Sequence, residues 1–396
     1  MTRKLLLLTA LAFASAVAQT RPVTDAQVRK VHRSAILIDT HNDVTSRTVE
    51  GFDIGKPSTE THTDLPRMKQ GGMTAQFFAV YVAADYVNGN RSAHRTLEMI
   101  DTVKHDIATR YPADFTFATT AADIVQAKKR NKIAALMGIE GGHAIEDSPR
   151  LLRTYYDLGI RYMTLTHSND NTWAGSSGSR ENKGLTPLGR EIVAEMNRLG
   201  MMVDISHVSD KTFWDVLEVS KAPPFASHSS CRAISNIPRN MTDEMIAALA
   251  KKGGVVQINF GCEFLSQKSA DSSPMNDPKL MATLREKLAG ITDRAQRRAA
   301  MRKMFDEIGA KTVRATLADI VAHIDHIKKV AGIDAIGIGS DFDGVSCVPE
   351  GLATVAEFPN LTRALLEKGY SASDIRKIYG GNLLRVMRAV ERAAMP

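Results

Sequence analysis

The chain has 396 residues, 43% of them hydrophobic and 24% charged, which excludes a disordered or fibrous protein and leaves room for a large core. Its net charge of +7 comes from interspersed Lys/Arg and Asp/Glu with no run of one sign, so there is no nucleic-acid footprint. Three widely spaced cysteines, Cys231, Cys262 and Cys347, allow at most one internal disulfide, and buried structural thiols are the expected state.

The N-terminus is ordered like a secretory signal: Arg3 and Lys4, the apolar run Leu5 to Phe13, then Ala16-Val17-Ala18 before Gln19. That run is too short to span a bilayer. The expected division is a signal peptide over residues 1–18 and one catalytic domain over 19–396. The product is expected to be soluble, exported to a periplasm, and free of a stable membrane anchor.

Eight short apolar or β-branched runs follow: Ala35 to Asp39, Thr74 to Tyr81, Ile133 to Ile139, Tyr162 to Thr166, Met201 to Ile205, Pro224 to Ser227, Gly254 to Phe260 and Ala335 to Gly339. Helical patterns separate them. Thr186-Pro187 predicts an N-cap and first turn, Gly200 closes that helix, and Ser209 opens another. The interval from about Asp277 to Lys329, rich in Lys, Arg, Glu, Ala and Met, reads as a helical insertion between strands 7 and 8 plus the regular helix. Near-continuous apolar strands alternating with helices predict an α/β fold, a (β/α)8 barrel of the TIM type used by metal-dependent hydrolases.

In such a barrel the C-terminal strand ends converge on one face, where chemistry is found. The first strand runs into His41-Asn42-Asp43, the third into Glu140, the fourth into His167, the fifth into His207, the sixth into His228 and the eighth into Asp341. One such histidine alone reads as a satisfied core or loop residue; the set reads as a site. His41 and Asp43, two apart on extended chain, point the same way and offer one nitrogen and one oxygen to an ion. His207 and His228 offer two imidazoles to another. Glu140, in Gly138-Ile139-Glu140-Gly141-Gly142, is suited to bridge the two, since one carboxylate spans ions roughly 3.5–4 Å apart, and the glycines are expected to let the backbone approach them. Imidazole plus carboxylate without Cys favours zinc or another borderline divalent ion with open positions. Water held between two such cations becomes hydroxide near neutral pH.

Asp341 is placed to take the proton from water and return it to a leaving amine, with Asp343 the competing candidate. His167 is placed to donate to an oxyanion, against a role as ligand or core residue. Arg239 could form a bidentate contact with a substrate carboxylate, although from local context alone a surface arginine is the better reading. His323 and His326 precede the last strand and read as structural. Trp173 is expected to wall the pocket, Lys183 to be solvated, and the loops Asp85 to Arg91 and Trp173 to Lys183 to line the pocket.

The segments IDTHND, GIEGGH, TLTHS, DISHVS, SHSSCRAI and GIGSDFDG, in this order over about Ile38 to Gly344, resemble the membrane dipeptidase (renal dipeptidase) family of metallopeptidases. The resemblance implies a dipeptide substrate and two zinc ions, one held by His41, Asp43 and Glu140, the other by Glu140, His207 and His228. It further implies His167 at the substrate carbonyl, Arg239 on the terminal carboxylate, with Arg232 nearby as a rival, and Asp341 as the acid/base at the amino end. Tolerance of a D-residue at the C-terminal position is the expectation from bacterial relatives. Asn169 stands two after His167, where vertebrate members carry a disulfide cysteine, and their hydrophobic tail is absent. A disulfide-linked dimer and membrane attachment are therefore not implied, and a homodimer would form by packing alone. The His-x-Asp start separates this reading from another barrel amidohydrolase, a deaminase or cyclic-amide hydrolase. The alternative from a different class is an exported peptide- or metal-binding protein without turnover.

Overall fold

The computed structural model describes residues 22–394, so the expected signal peptide lies outside the described residues. Among the described residues there are nine strands: β1 (Ile38–Asn42), β2 (Ala75–Tyr81), β3 (Phe115–Phe117), β4 (Ile133–Glu140), β5 (Ile160–Thr164), β6 (Met202–Asp204), β7 (Ala226–Ser229), β8 (Val256–Ile258) and β9 (Ile336–Ile338). Every pairing between them is parallel. One sheet runs β1-β2-β4-β5-β6, the other β7-β8-β9. Two seams join them. Phe225 bridges to β6, its N–H donating to Val203 while its carbonyl accepts from Ile205, and Asp341 N–H and Asp43 N–H close the other seam on His41 O and Phe342 O. Eight strands thus form the expected barrel.

The ninth, β3, was not expected. It is three residues long and pairs only with the first half of β4, Phe115 to Ile133 through Phe117 to Ala135, outside the ring. Two expected strands are displaced toward the C-terminus. β1 starts at Ile38 because Ala35 is still closing the helix Asp25–Ser34 through its N–H to His32 O. β7 starts at Ala226 because Pro223 and Pro224 have no N–H for a ladder. His41 and His228 therefore lie inside strands rather than after them, fully buried.

The helix punctuation holds: Thr186 caps Pro187–Leu199, Gly200 ends it in the left-handed region, and Ser209 caps Asp210–Val219. The insertion comprises helices Pro278–Ala289 and Arg294–Lys311, followed by Leu317–Ala331. Its second helix reaches over the rim, pairing Arg298 and Arg302 with Glu50 beyond β1, and Arg297 with Asp85 beyond β2.

In place of three buried thiols, Cys262 and Cys347 form a disulfide and Cys231 remains as a buried thiol. The two are 85 residues apart in sequence, but they follow neighbouring strands, β8 and β9, which sets their Cα atoms 5.4 Å apart. Replacing both by Ser is expected to lower stability by about 2–4 kcal/mol, seen as a lower denaturation midpoint. No helix among the described residues is long and apolar enough to cross a membrane.

Candidate metal centre and active site

The strand ends bring seven of the expected residues into one cluster: His41, Asp43, Glu140, His167, His207, His228 and Asp341 form overlapping triads whose ligand atoms lie within 4.8 Å of one another. Glu140 is at its centre. Its Oε1 lies 3.0 Å from His207 Nε2, 3.3 Å from His228 Nε2 and 3.9 Å from His167 Nε2, and its Oε2 lies 3.4 Å from His41 Nε2. His41 Nε2 is also 3.2 Å from Asp43 Oδ2.

The hydrogen bonds behind the histidines decide which nitrogen faces inward. The Tyr162 hydroxyl donates its one proton to Thr40 O at 3.0 Å, so at 2.9 Å it accepts from His41 Nδ1–H. Ser227 Oγ donates to Asp204 Oδ2 at 2.6 Å, so at 2.7 Å it accepts from His228 Nδ1–H. Both rings therefore turn Nε2 to the cluster, the atom that binds a cation once the ring is neutral. His41 Nε2 is buried with no hydrogen-bond partner, and His207 Nε2 and His228 Nε2 face each other at 3.0 Å. Imidazole nitrogens converging on the carboxylates of Asp43, Glu140 and Asp341, one of them buried without a partner, are what a divalent cation satisfies, so the donor set fits a metal.

The electrostatics differ from ring to ring: against its burial, Tyr162 and the carboxylates of Glu140 and Asp43 hold His41 well above the ordinary imidazole range. Burial, with Arg239 and neighbouring histidines, holds His207 and His228 well below the ordinary imidazole range, so both are neutral. Burial opposes charge on Glu140, yet His41, His167, His207 and His228 outweigh it and keep its carboxyl well below the usual range. Burial, then the carboxylates of Asp43 and Glu140, push Asp341 well above its usual value.

The structure separates the rival candidates. Asp343 is tied to His62, whose N–H donates to Oδ1 at 2.7 Å while Asp343 N–H donates to His62 Nδ1 at 2.9 Å; Asp341 alone of the two joins the cluster. Arg232 is spent on a bidentate pair with Asp210 at 2.8 and 2.7 Å. Arg239 lies against the cluster, donating to Ser229 Oγ and His228 O, both at 2.8 Å. Among the described residues no carboxylate forms an ion pair with it, and burial lowers its pKa to about 10. His167 is part-exposed, its ring 4.5 Å from that of His207 and 5.0 Å from that of Tyr81.

His207, Asp341 and Asp343 are non-glycine residues in the left-handed region, with φ of 65, 60 and 67°. Each costs of order 1–3 kcal/mol unless its surroundings hold it. The His207 carbonyl is held by Ser177 N–H at 2.8 Å and Thr166 Oγ1 at 3.0 Å.

The glycines beside Glu140 have a different role from the one expected. A Cβ on Gly138 would strike the Tyr162 ring, one on Gly142 would strike Leu165 O and the Trp173 ring, and one on Gly141 would stand 2.6 Å from His143. They make room for packing behind the ligands. Gly344 makes the close approach instead, since its Cβ would overlap Asp341 Oδ1 and Asp43 Oδ2. Trp173 does not wall a pocket; it is fully buried in the core against Gly142. Of the expected pocket loops, Ser176, Ser177, Ser179 and Asn182 line a cavity of about 350 Å³ beside Arg232. Lys183 is exposed and paired with Glu181 at 2.6 Å. His323 is structural, accepting from Cys231 N–H and bonding Leu265 O, and His326 pairs with Asp243.

Sequence reasoning missed the residues behind the cluster: Tyr162, Ser227 and Asp204. The polar Ser227, directly before a candidate ligand, was a usable signal; Tyr162 reads as an ordinary core aromatic.

Residues 25–396 match the family described as membrane dipeptidase, peptidase family M19. The chain is 36% identical over 374 residues to the uncharacterized dipeptidase C3A11.10c of Schizosaccharomyces pombe, covering 90% of this chain and 81% of that one. Among solved structures, the probable dipeptidase PvdM from Pseudomonas aeruginosa superposes with a TM-score of 0.79 at 25% identity, covering 93% of this chain and 98% of its own. A metallo peptidase from Rhodobacter sphaeroides, liganded with a phosphinate mimic of the dipeptide L-Ala-D-Ala, gives 0.72 at 26% identity, covering 90% and 99%. With residues 25–396 matched and a candidate metal-ligand cluster at the mouth of its barrel, the chain belongs to the membrane dipeptidase family, peptidase family M19, and is a metal-dependent dipeptidase.

Proposed function

We propose that this enzyme is a binuclear zinc dipeptidase that accepts a D-residue at the C-terminal position. The observation that carries the reading is the division of one carboxylate, Oε2 of Glu140 toward His41 and Oε1 toward His207 and His228. His41, Asp43 and Glu140 would hold one ion, and Glu140, His207 and His228 the other. When bound, the pair supplies Lewis acidity and a water nucleophile active near neutral pH.

The protein's own groups do the rest. Arg239 pairs with the dipeptide's carboxylate, which fixes the C-terminal end against β7. His167 donates to the carbonyl oxygen as it gains negative charge. Asp341 accepts the proton from water as the new C–O bond forms, and returns it to the amine nitrogen as the C–N bond breaks. Acceptance of a D-residue is supported by the dipeptide mimic held by the Rhodobacter relative. Export to a periplasm is proposed from the sequence of residues 1–18.

The test is a panel of L-L and L-D dipeptides with purified protein and zinc. Release of amino acids from both series is expected; no release, with metals bound, would sink the catalytic reading. On the same panel Arg239→Met should raise KM about 10- to 100-fold, the worth of charge-assisted hydrogen bonds. Dipeptide amides, which lack the carboxylate, should not distinguish the variant from wild type.

A further inference from the structure

The strand end at β8 contributes no residue to the cluster. It ends instead in Asn259, which is fully buried. Asn259 Oδ1 accepts from Gly261 N–H at 2.6 Å, so the amide can face only one way, and its Nδ2 end is turned on Asp341. Nδ2 donates to Asp341 Oδ2 at 2.7 Å. The Asp341 backbone is pinned as well, its N–H donating to His41 O at 3.0 Å and its carbonyl accepting from Gly344 N–H at 3.1 Å. A carboxylate with one oxygen held in this way cannot turn about its terminal bond. The free oxygen, Oδ1, is then fixed over Gly344 beside Asp43 Oδ2, on the side of the cluster.

We propose that Asn259 is a positioning residue for this dipeptidase, choosing which Asp341 oxygen exchanges protons with the reacting groups and holding it in place. The inference rests on the reading of Asp341 as proton carrier. Proton transfer needs heavy atoms within roughly 2.6–3.2 Å, and a misplacement near 1 Å costs about 10²-fold. A carboxylate free to rotate would present Oδ1 correctly only part of the time. What is lost is the orientation of the proton-exchanging oxygen, so the effect falls on turnover.

Asn259→Ala is therefore expected to lower kcat about 10- to 100-fold, with KM within about threefold of wild type, unchanged metal content and a native circular dichroism spectrum. The decisive measurement is a double-mutant cycle with Asp341→Asn. If Asn259 acts through Asp341, the double variant should be no slower than Asp341→Asn alone, within about threefold. A further drop as large as the single loss would overturn the inference and make Asn259 a structural residue only. Should the alanine variant fold poorly, Asn259→Ser, which keeps a hydroxyl in less volume, goes through the same cycle with the same two outcomes. An Asp341→Asn enzyme with full kcat would bring down the reading of Asp341 itself, and this inference with it.

Discussion

Asp341→Asn should retain close to the wild-type metal content while kcat falls by about 10² or more, the scale of a lost general acid/base. The asparagine keeps the shape of the side chain between Asn259 and Gly344, so packing changes little. It removes the capacity to take up a proton. Burial, together with the charges of Asp43 and Glu140, raises the Asp341 carboxyl, which moves it toward the pH at which a group can both accept and release a proton. The competing role is visible in the same geometry, because Asp341 shares a triad with His41 and Asp43. Loss of both metals in the variant would make Asp341 a ligand rather than a proton carrier. Asp343→Asn is the internal contrast: its carboxylate is engaged with the backbone of His62, so the damage should appear in stability rather than as a selective loss of turnover.

The cluster was legible from sequence because barrel topology converts six separate strand ends into one place; the rule needs only the strands, not their partners. A displacement of β1 by three residues and of β7 by two did no harm, since His41 and His228 stay at the same end of the barrel. What was hidden depended on contacts between distant segments. The disulfide was hidden because 85 residues of chain, including the insertion, separate two cysteines whose strands are neighbours. β3 was hidden because three residues are too few for a periodic signal. Tyr162 carries no local mark of its bond to His41, and Gly138 reads as a glycine that lets the backbone approach the ions although its role is to admit that tyrosine's ring. Asp343 and Asp341 share one motif, and only His62, far away in sequence, tells them apart.

Glu140→Gln is expected to weaken both metal positions together, the largest effect of any single conservative substitution in the cluster. Its two oxygens serve opposite sides: Oε2 is the one near His41, and Oε1 the one near His207 and His228. An amide has one acceptor oxygen and one NH2 donor, so whichever way it turns, one side of the cluster faces a donor where it needs a lone pair. The other side keeps an oxygen but loses the negative charge that offsets a buried cation. Neutral His207 and His228 then have no anion between them, and His41 retains Asp43 and Asp341. Elemental analysis after dialysis against a weak chelator should find well under one equivalent of metal per chain, with activity lost in parallel, while wild type retains its full complement. Loss of one ion with tight retention of the other would confine Glu140 to a single centre. Retention of two would remove the bridging role, and with it the observation on which the binuclear reading rests.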